Sequence, residues 1–288
     1  MPLLTEQSTS RTIRTRSWKI HYNEAGEGHP VVLLHGSGPG ATGWSNFAPN
    51  IGALAEWFRV LAVDMPGWGE SDSVSAQERD HRAALLEFLD AMEIEKAAVV
   101  GNSMGAATAL SFAAAYPDRV SYMVMMGGVV MAQPMMFAPG GGPSEGLKAL
   151  FAAYRDPSPE SMKRLVNVMT FDPAFGSDEL AAARSENALR HPEHLQNFVA
   201  GLDAQMVFLK GLNGEPTVQQ IAAIATPTLL IHGRDDRVIS YENSLRLVSV
   251  IPDSRLLLMN RCGHWAQLEH ADEFNRIVTQ FVSQAERQ

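Results

Sequence analysis

Cysteine is almost missing from this chain. Cys262 is the only one among 288 residues, so an intrachain disulfide is impossible and a disulfide-stapled secreted scaffold is excluded. Basic residues are in the minority, 23 Lys and Arg against 32 Asp and Glu, which leaves a formal net charge of −9. No Lys/Arg cluster offsets that charge, so the long-range field repels polyanions and no nucleic-acid partner is expected. Met1 to Arg16 is polar and holds no apolar run of signal-peptide length, which makes a cytoplasmic address the expectation. Uninterrupted apolar runs of membrane-spanning length are missing as well. The most apolar stretch, Ala97 to Tyr116, is broken by Gly101, Asn102, Ser103, Gly105, Thr108 and Ser111. It reads as a buried strand, a tight turn and a helix, with no membrane partner.

What remains is ordinary globular material, 45% hydrophobic and 19% charged, long enough for one large α/β domain carrying an insertion. The start is expected to be frayed, and two opening strands are predicted at Thr12–Trp18 and Lys19–Asn23. Pro30–His35 is a Val/Leu run of the kind buried on both faces. Strand and helix then alternate: a helix over Phe47–Trp57, a strand over Arg59–Asp64, an amphipathic helix over Glu78–Met92, a strand over Ala97–Asn102, a helix over Met104–Tyr116 and a strand over Val120–Met126. This rhythm implies a parallel sheet with right-handed crossovers. It stops between Met131 and about Pro216, a stretch opening with Pro134, Pro139, Gly140, Gly141, Gly142 and Pro143 and containing helix-like Gly146–Tyr154 and Pro159–Met169. Alternation resumes with strands at Thr228–His232 and Arg255–Met259 and helices at Tyr241–Ser249 and Ala271–Gln284. The expected division is a first core part over 1–132, a helical lid over 133–216 and a second core part over 217–288.

The sharpest local signal is Gly101-Asn102-Ser103-Met104-Gly105, a G-x-S-x-G run between a buried strand and a helix. In that context it is a nucleophile elbow, and the fold class it implies is α/β, an α/β-hydrolase fold with a mostly parallel eight-stranded sheet. Glycines flank the serine because so tight a turn leaves no room for side chains. A serine hydroxyl is a poor nucleophile until a base takes its proton and an acid holds that base. Of 9 histidines, His264 is best placed, in the loop after the last predicted strand. His35 is better read as packing under its glycine-rich loop, and His81 and His270 as solvated. The acid is expected in Gly233-Arg234-Asp235-Asp236, after an intermediate strand. Asp236 is preferred, with Asp235 pairing to Arg234 or Arg237, and the order Ser, Asp, His is the order of this fold. Acyl transfer also needs oxyanion donors. The amide of Met104 is one, and Ser37, in the loop His35-Gly36-Ser37-Gly38-Pro39-Gly40, is the other.

That loop supports a rival. Gly36 to Ala41 also satisfies the G-x-G-x-x-G/A dinucleotide fingerprint after a strand, with Asp64 as a ribose ligand, which would make the chain an oxidoreductase. Against it, the loop follows the third strand, and Pro39 removes an amide where a phosphate cradle needs one.

Several stretches resemble the meta-cleavage product hydrolases, which split carbon–carbon bonds in bacterial aromatic and steroid ring degradation. These are His35 to Phe47, Gly101 to Gly105, Arg190-His-Pro-Glu-His-Leu195 and Cys262 to His270, and the likeness runs from about Val31 to Phe281. The resemblance implies a 2-hydroxy-6-oxohexa-2,4-dienoate substrate, hydrolysed to 2-hydroxypenta-2,4-dienoate and a carboxylic acid, with no cofactor and in a homo-oligomer. It implies that Arg190 pairs with the substrate carboxylate through its fork of donors. Asn46, Asn102 and Gly38 bind the same end, and Trp265 donates its N–H and lays its ring along the dienoate. Either asparagine alternatively ties down its own loop. In the family's mechanism the dienol is ketonised, with a proton placed on C5, before Ser103 engages the C6 ketone, and His264 manages the protons. An acyl-enzyme and a serine-activated water both remain open.

Ala106 departs from the commoner pattern, in which a second glycine follows the elbow. The run Gly140–Gly142 is expected to loosen the lid hinge. Phe175, with Phe137, Phe171, Met135, Met136 and Met169, is a candidate for the C6 side of the pocket, although such residues more often pack against the core. The stretch Glu145–Tyr154 favours a bulky C6 substituent. No metal site is expected, because no histidine pair shows ligand spacing with a supporting acid. A carboxylesterase of the same fold is the alternative function.

Overall fold

Successive residues of the buried strands face opposite sides of one sheet, and this alternation builds two halves of the core. Val32, Leu34, Leu61, Val63 and Val99 enter one apolar cluster, while Val31, Leu33, Val60, Ala62 and Val100 enter another. A strand apolar at every position is therefore satisfied only with helices on both faces. The computed structural model describes residues 4–128, 143–203 and 216–283. Among them the strands are β1 Ser10–Arg14, β2 Lys19–Ala25, β3 Pro30–Leu34, β4 Arg59–Val63, β5 Ala97–Asn102, β6 Val120–Met126, β7 Thr228–Gly233 and β8 Ser254–Met259. They form an 8-stranded sheet in the order β1-β2-β4-β3-β5-β6-β7-β8. The β1–β2 and β2–β4 pairs are antiparallel and all the others parallel.

Helices α1 Glu6–Thr9, α2 Gly43–Leu54, α3 His81–Ala91 and α4 Met104–Ala115 lie in the first part of the chain. Phe47, Ile51 and Leu54 of α2 cover one face; Leu85, Phe88 and Leu89 of α3, with Ala109, Leu110 and Phe112 of α4, cover the other. Between β6 and β7 come α5 Glu145–Arg155, α6 Pro159–Met169, α7 Asp178–Arg190 and α8 Pro192–Asp203. They are followed by α9 Val218–Ala222, α10 Glu242–Val250, α11 Ala266–Glu269 and α12 Ala271–Val282. A third apolar cluster joins Leu150, Tyr154, Leu165 and Phe198 of the insertion to Trp68, Val238 and Trp265 beyond the sheet's carboxyl edge. That shared cluster seats α5 to α8 over the ends of the parallel strands.

The start of the chain differs from the expectation. Residues 6–9 form a capped turn of helix in which Thr5 and Ser8 bond each other reciprocally, and Asn23 Nδ2 donates to Glu6 O and Thr9 Oγ1, both at 2.9 Å. The first strand sits earlier than Thr12–Trp18 because Thr15 and Trp18 close a turn. Buried Glu87 draws in the Thr15 hydroxyl at 3.0 Å and the Ser17 amide at 2.8 Å. Helix α2 begins at Gly43, ahead of the predicted Phe47, because Thr42 and Ser45 form a capping box. Helix α3 begins at His81, where Asp80 caps the Ala83 amide at 2.9 Å. No helix among the described residues is long and apolar enough to cross a membrane.

Candidate active site

Ser103 stands between β5 and α4 with φ 53° and ψ −112°, a left-handed backbone that a non-glycine residue adopts only where its surroundings enforce it. The enforcement is close packing. A Cβ on Gly101 would lie 2.3 Å from the Gly105 carbonyl, and one on Gly105 would lie 2.2 Å from Leu34 O. The Ser103 amide donates to Met126 O at 2.7 Å, fastening the turn to β6. Met104 opens α4, so its amide has no acceptor within the helix.

Two further loops on the same carboxyl edge bring an imidazole and a carboxylate together. His264, after β8, places Nδ1 2.7 Å from Oδ2 of Asp236, after β7, and both side chains are almost wholly buried. The other oxygen of Asp236 accepts the amides of Val238 at 2.7 Å and Ile239 at 2.9 Å. His232 was not foreseen here: its Nε2 lies 3.2 Å from Asp236 Oδ2 and 2.9 Å from Ile239 O, while Nδ1 meets Ser244 Oγ at 2.7 Å. Burial by itself would raise the Asp236 pKa, but the charge of His264 and the hydrogen bonds of both histidines hold it well below the usual carboxylate range. Asp235 lies 3.8 Å from Arg234 and stays outside this cluster. The His264 amide donates to Met169 O at 2.6 Å, so the end of α6 in the insertion is anchored to the histidine loop.

Ser103 and His264 line one cavity of about 150 Å³, with Ser37, Gly38, Asn46, Asn102, Met104 and Trp265 on its walls. That volume suits an organic ligand, since a single water needs only about 10–15 Å³. Both asparagines also tie loops. Asn46 Oδ1 accepts the Gly36 amide at 3.2 Å, and Asn102 Nδ2 donates to His264 O at 3.2 Å. Asn102 Oδ1 is buried without a partner among the described residues. Ser37 O accepts the Tyr154 hydroxyl at 2.6 Å, and Trp68 Nε1 donates to Gly38 O at 3.1 Å. The far walls are apolar, formed by Leu147, Leu150, Phe151, Phe198, Val238 and Ile239.

The cavity's cations are Arg184 and Arg79, both buried, where the resemblance had implied Arg190. Arg184 stacks 4.7 Å above the Trp265 ring, and a Cβ on Gly38 would approach its Nη2 to 3.2 Å. Burial pulls its pKa down to about 10, opposed only by Tyr154, and its Nε has no partner among the described residues. Arg79 stacks over Trp68 at 4.9 Å. Arg190, by contrast, is exposed at the end of α7 and borders a separate small cavity with Glu6, Glu70 and His191. Six residues along a helix rotate a side chain by about 240°, so Arg184 and Arg190 cannot share a face.

Phe175 is also corrected. It is half-buried in a short helical turn and packs against the insertion, and Phe151 and Phe198 line the cavity in its place. Met169 does line it, whereas Phe171 is exposed. Met135, Met136, Phe137 and the Gly140–Gly142 hinge lie outside the described residues. His35 is buried under its loop, accepting the Met65 amide at 3.0 Å. His81, expected in solvent, is buried with Nε2 3.1 Å from Pro66 O. Asp64 does not face a ribose site: it is enclosed by His21 Nδ1 at 2.8 Å and the Gly43 amide at 2.7 Å. The expectation that no histidine pair has ligand spacing with an acid is overturned by His191, Glu193 and His194, which offer ligand atoms within 4.8 Å of one another.

Comparison with known proteins agrees with this geometry. Residues 29–271 match the α/β-hydrolase fold family. The chain is 43% identical to a 2-hydroxy-6-oxo-6-phenylhexa-2,4-dienoate hydrolase of Burkholderia cepacia, over 98% of this chain and 99% of that one. It is 44% identical to a 2-hydroxy-6-oxononadienedioate/2-hydroxy-6-oxononatrienedioate hydrolase of Cupriavidus pinatubonensis, over 97% of each. Among solved structures, a meta-cleavage product hydrolase from Pseudomonas fluorescens superposes with a TM-score of 0.86 at 33% identity, covering 97% of this chain and 99% of that one. The chain belongs to the α/β-hydrolase fold family and, within it, to the meta-cleavage product hydrolases.

Proposed function

We propose that this protein hydrolyses the carbon–carbon bond of a 2-hydroxy-6-oxohexa-2,4-dienoate bearing a C6 substituent, a product of extradiol aromatic ring cleavage. The products are 2-hydroxypenta-2,4-dienoate and a carboxylic acid. The observation that carries the substrate reading is the buried Arg184 in the same cavity as Ser103 and His264. A desolvated guanidinium needs an anion, and a dienoate carboxylate supplies one with matching fork geometry. A simple ester brings no such charge.

In this reading Arg184 takes the place that the resemblance implied for Arg190. It holds the carboxylate while Trp265 lies along the planar dienoate and Asn46 and Asn102 bond the 2-hydroxy end. His264, its Nδ1–H donating to Asp236, has Nε2 left for proton transfer. Ketonisation moves the hydroxyl proton and places one on C5. Attack at C6, by Ser103 or by a water it activates, yields an oxyanion received by the amides of Met104 and Ser37. The C5–C6 bond then breaks and its electron pair stays with C5, delocalised into the dienol. Water supplies the new oxygen of the acid. The apolar far wall, with Phe151 and Phe198, suits an aryl or similarly bulky C6 group. The family resemblance further supports a cytoplasmic homo-oligomer, which light scattering on the purified protein tests.

The experiment is to mix the protein with 2-hydroxy-6-oxo-6-phenylhexa-2,4-dienoate and follow loss of its yellow absorbance. Ser103→Ala and p-nitrophenyl acetate serve as comparisons. Formation of the dienoate and benzoate by the native protein, with a loss of about 10³-fold or more in Ser103→Ala, supports the reading. Ester cleavage with the dienoate left intact overturns it in favour of an esterase.

A further inference from the structure

The active-site cavity leaves one group of potential ligands unused, at the corner where α7 passes into α8. His191, Glu193 and His194 meet there with ligand atoms within 4.8 Å of one another. The two imidazoles are already oriented. His194 Nε2 donates to Gly69 O at 3.0 Å, which leaves Nδ1 as the lone-pair nitrogen, and that atom is buried with no partner among the described residues. His194 as a whole is only 9% exposed. His191 Nε2 lies 3.0 Å from the Glu70 carboxylate, which leaves its Nδ1 facing Glu193 Oε1 at 3.4 Å. In a tetrahedral zinc-type site with bonds of about 2.0–2.2 Å, neighbouring ligand atoms stand about 3.3 Å apart. Each histidine with its outer nitrogen held by a carbonyl or carboxylate is also the usual arrangement around a bound metal.

The surroundings favour a cation. Glu6 and Glu70 border the adjoining cavity, where Asp64 is already paired with His21, and the arginine beside them, Arg190, is exposed with solvent to turn into. That cavity measures about 30 Å³, enough for a water as fourth ligand. Two imidazoles and one carboxylate select borderline divalent ions over magnesium or calcium, which prefer all-oxygen shells.

We propose that His191, Glu193 and His194 bind one divalent ion of the zinc class. The ion joins the α7–α8 corner of the insertion to residues 69 and 70 of the sheet domain, as a clamp beside a cavity separate from that of Ser103. The site does not depend on the identity of the substrate.

The test uses tag-free protein treated with chelator and dialysed, then titrated with Zn2+ by calorimetry and with Co2+ by visible absorption. The expected result is one equivalent bound per chain, a tetrahedral Co2+ band and a higher melting temperature with Zn2+. His191→Ala and Glu193→Gln alter exposed or half-exposed side chains and are expected to fold. Each should weaken binding by more than tenfold, and Glu70→Gln by about 10–100-fold through the outer hydrogen bond. Failure of either ion to bind the native protein overturns the proposal. So does equal binding by His191→Ala, which would place the ion elsewhere.

Discussion

Gly127 and His264 stand so close that a Cβ on Gly127 would fall 2.7 Å from His264 Cε1 and 2.8 Å from its Nδ1. The glycine follows β6 with φ +55°, so any side chain there meets both backbone strain and the imidazole. Gly127→Ala is expected to push the ring off its line to Ser103 while the sheet stays intact. A displacement of about 1 Å costs about 10²-fold in rate. Steady-state kinetics with the dienoate should show the loss in kcat with an unchanged far-ultraviolet spectrum; unaltered kcat would mean that the ring has room to move.

Arg184 and Arg190 give opposite expectations. Arg184→Gln removes the buried cation from the cavity and should lower kcat/KM by about 10²-fold or more, since losing one partner of a buried charge pair costs about 2–5 kcal/mol. Arg184→Lys should recover little, because an ammonium lacks the planar fork. Arg190→Gln should leave kcat/KM within about twofold, as expected of an exposed charge. A reversal of this order would return the carboxylate to Arg190.

Acid should act on the fold through Asp236. Its carboxyl titrates below the ordinary 3.8 in the folded protein. The ionised form therefore stabilises the fold above pH 3.8, and this contribution is lost as pH falls below that value. Asp236→Asn is expected to be less stable at neutral pH, to lose less stability on acidification below about pH 4 and to lose about 10⁴-fold in kcat because the amide favours the wrong tautomer. Urea unfolding at pH 7 and pH 3 separates the first two effects from the third.

The His81 pKa is lowered as well, here because the fold favours the neutral imidazole, with the same consequence for acid. Burial first, then Arg79, push its pKa from 6.5 down to about 3. Between those values the unfolded chain binds a proton that the folded one refuses, so stability falls as pH drops, by about 1.4 kcal/mol per unit. His81→Gln should flatten the decline between pH 6.5 and 4.5 measured by urea midpoints. Because His35 is lowered by burial in the same way, the decline should shrink and not vanish. Equal slopes in the two proteins would place His81 in solvent after all.

Local rules were enough to read the elbow from the sequence. Gly101 and Gly105 have no room for a methyl, Ser103 must follow β5, and the loops after β7 and β8 must open on the same edge as β5 because the strands are parallel. That motif is written in adjacent residues, so Ser103 needed no tertiary information to be nominated, while His264 was nominated from its place after the last strand and Asp236 from the order and spacing of the fold family. The wall of the cavity is different. Which arginine enters it depends on the rotation of α7 against β3's loop, and a shift of six residues along a helix turns a side chain to another face. The same holds for Phe151 and Phe198 in place of Phe175, for His232 reaching Asp236 from within β7, and for His191 meeting Glu70 across the gap between insertion and sheet. Local sequence thus decided the candidate nucleophile, the loops that could hold its partners and the parallel frame. Only packing at a distance decided which cation, which rings and which second histidine surround them, because those positions depend on how helices settle on one another once the chain has folded.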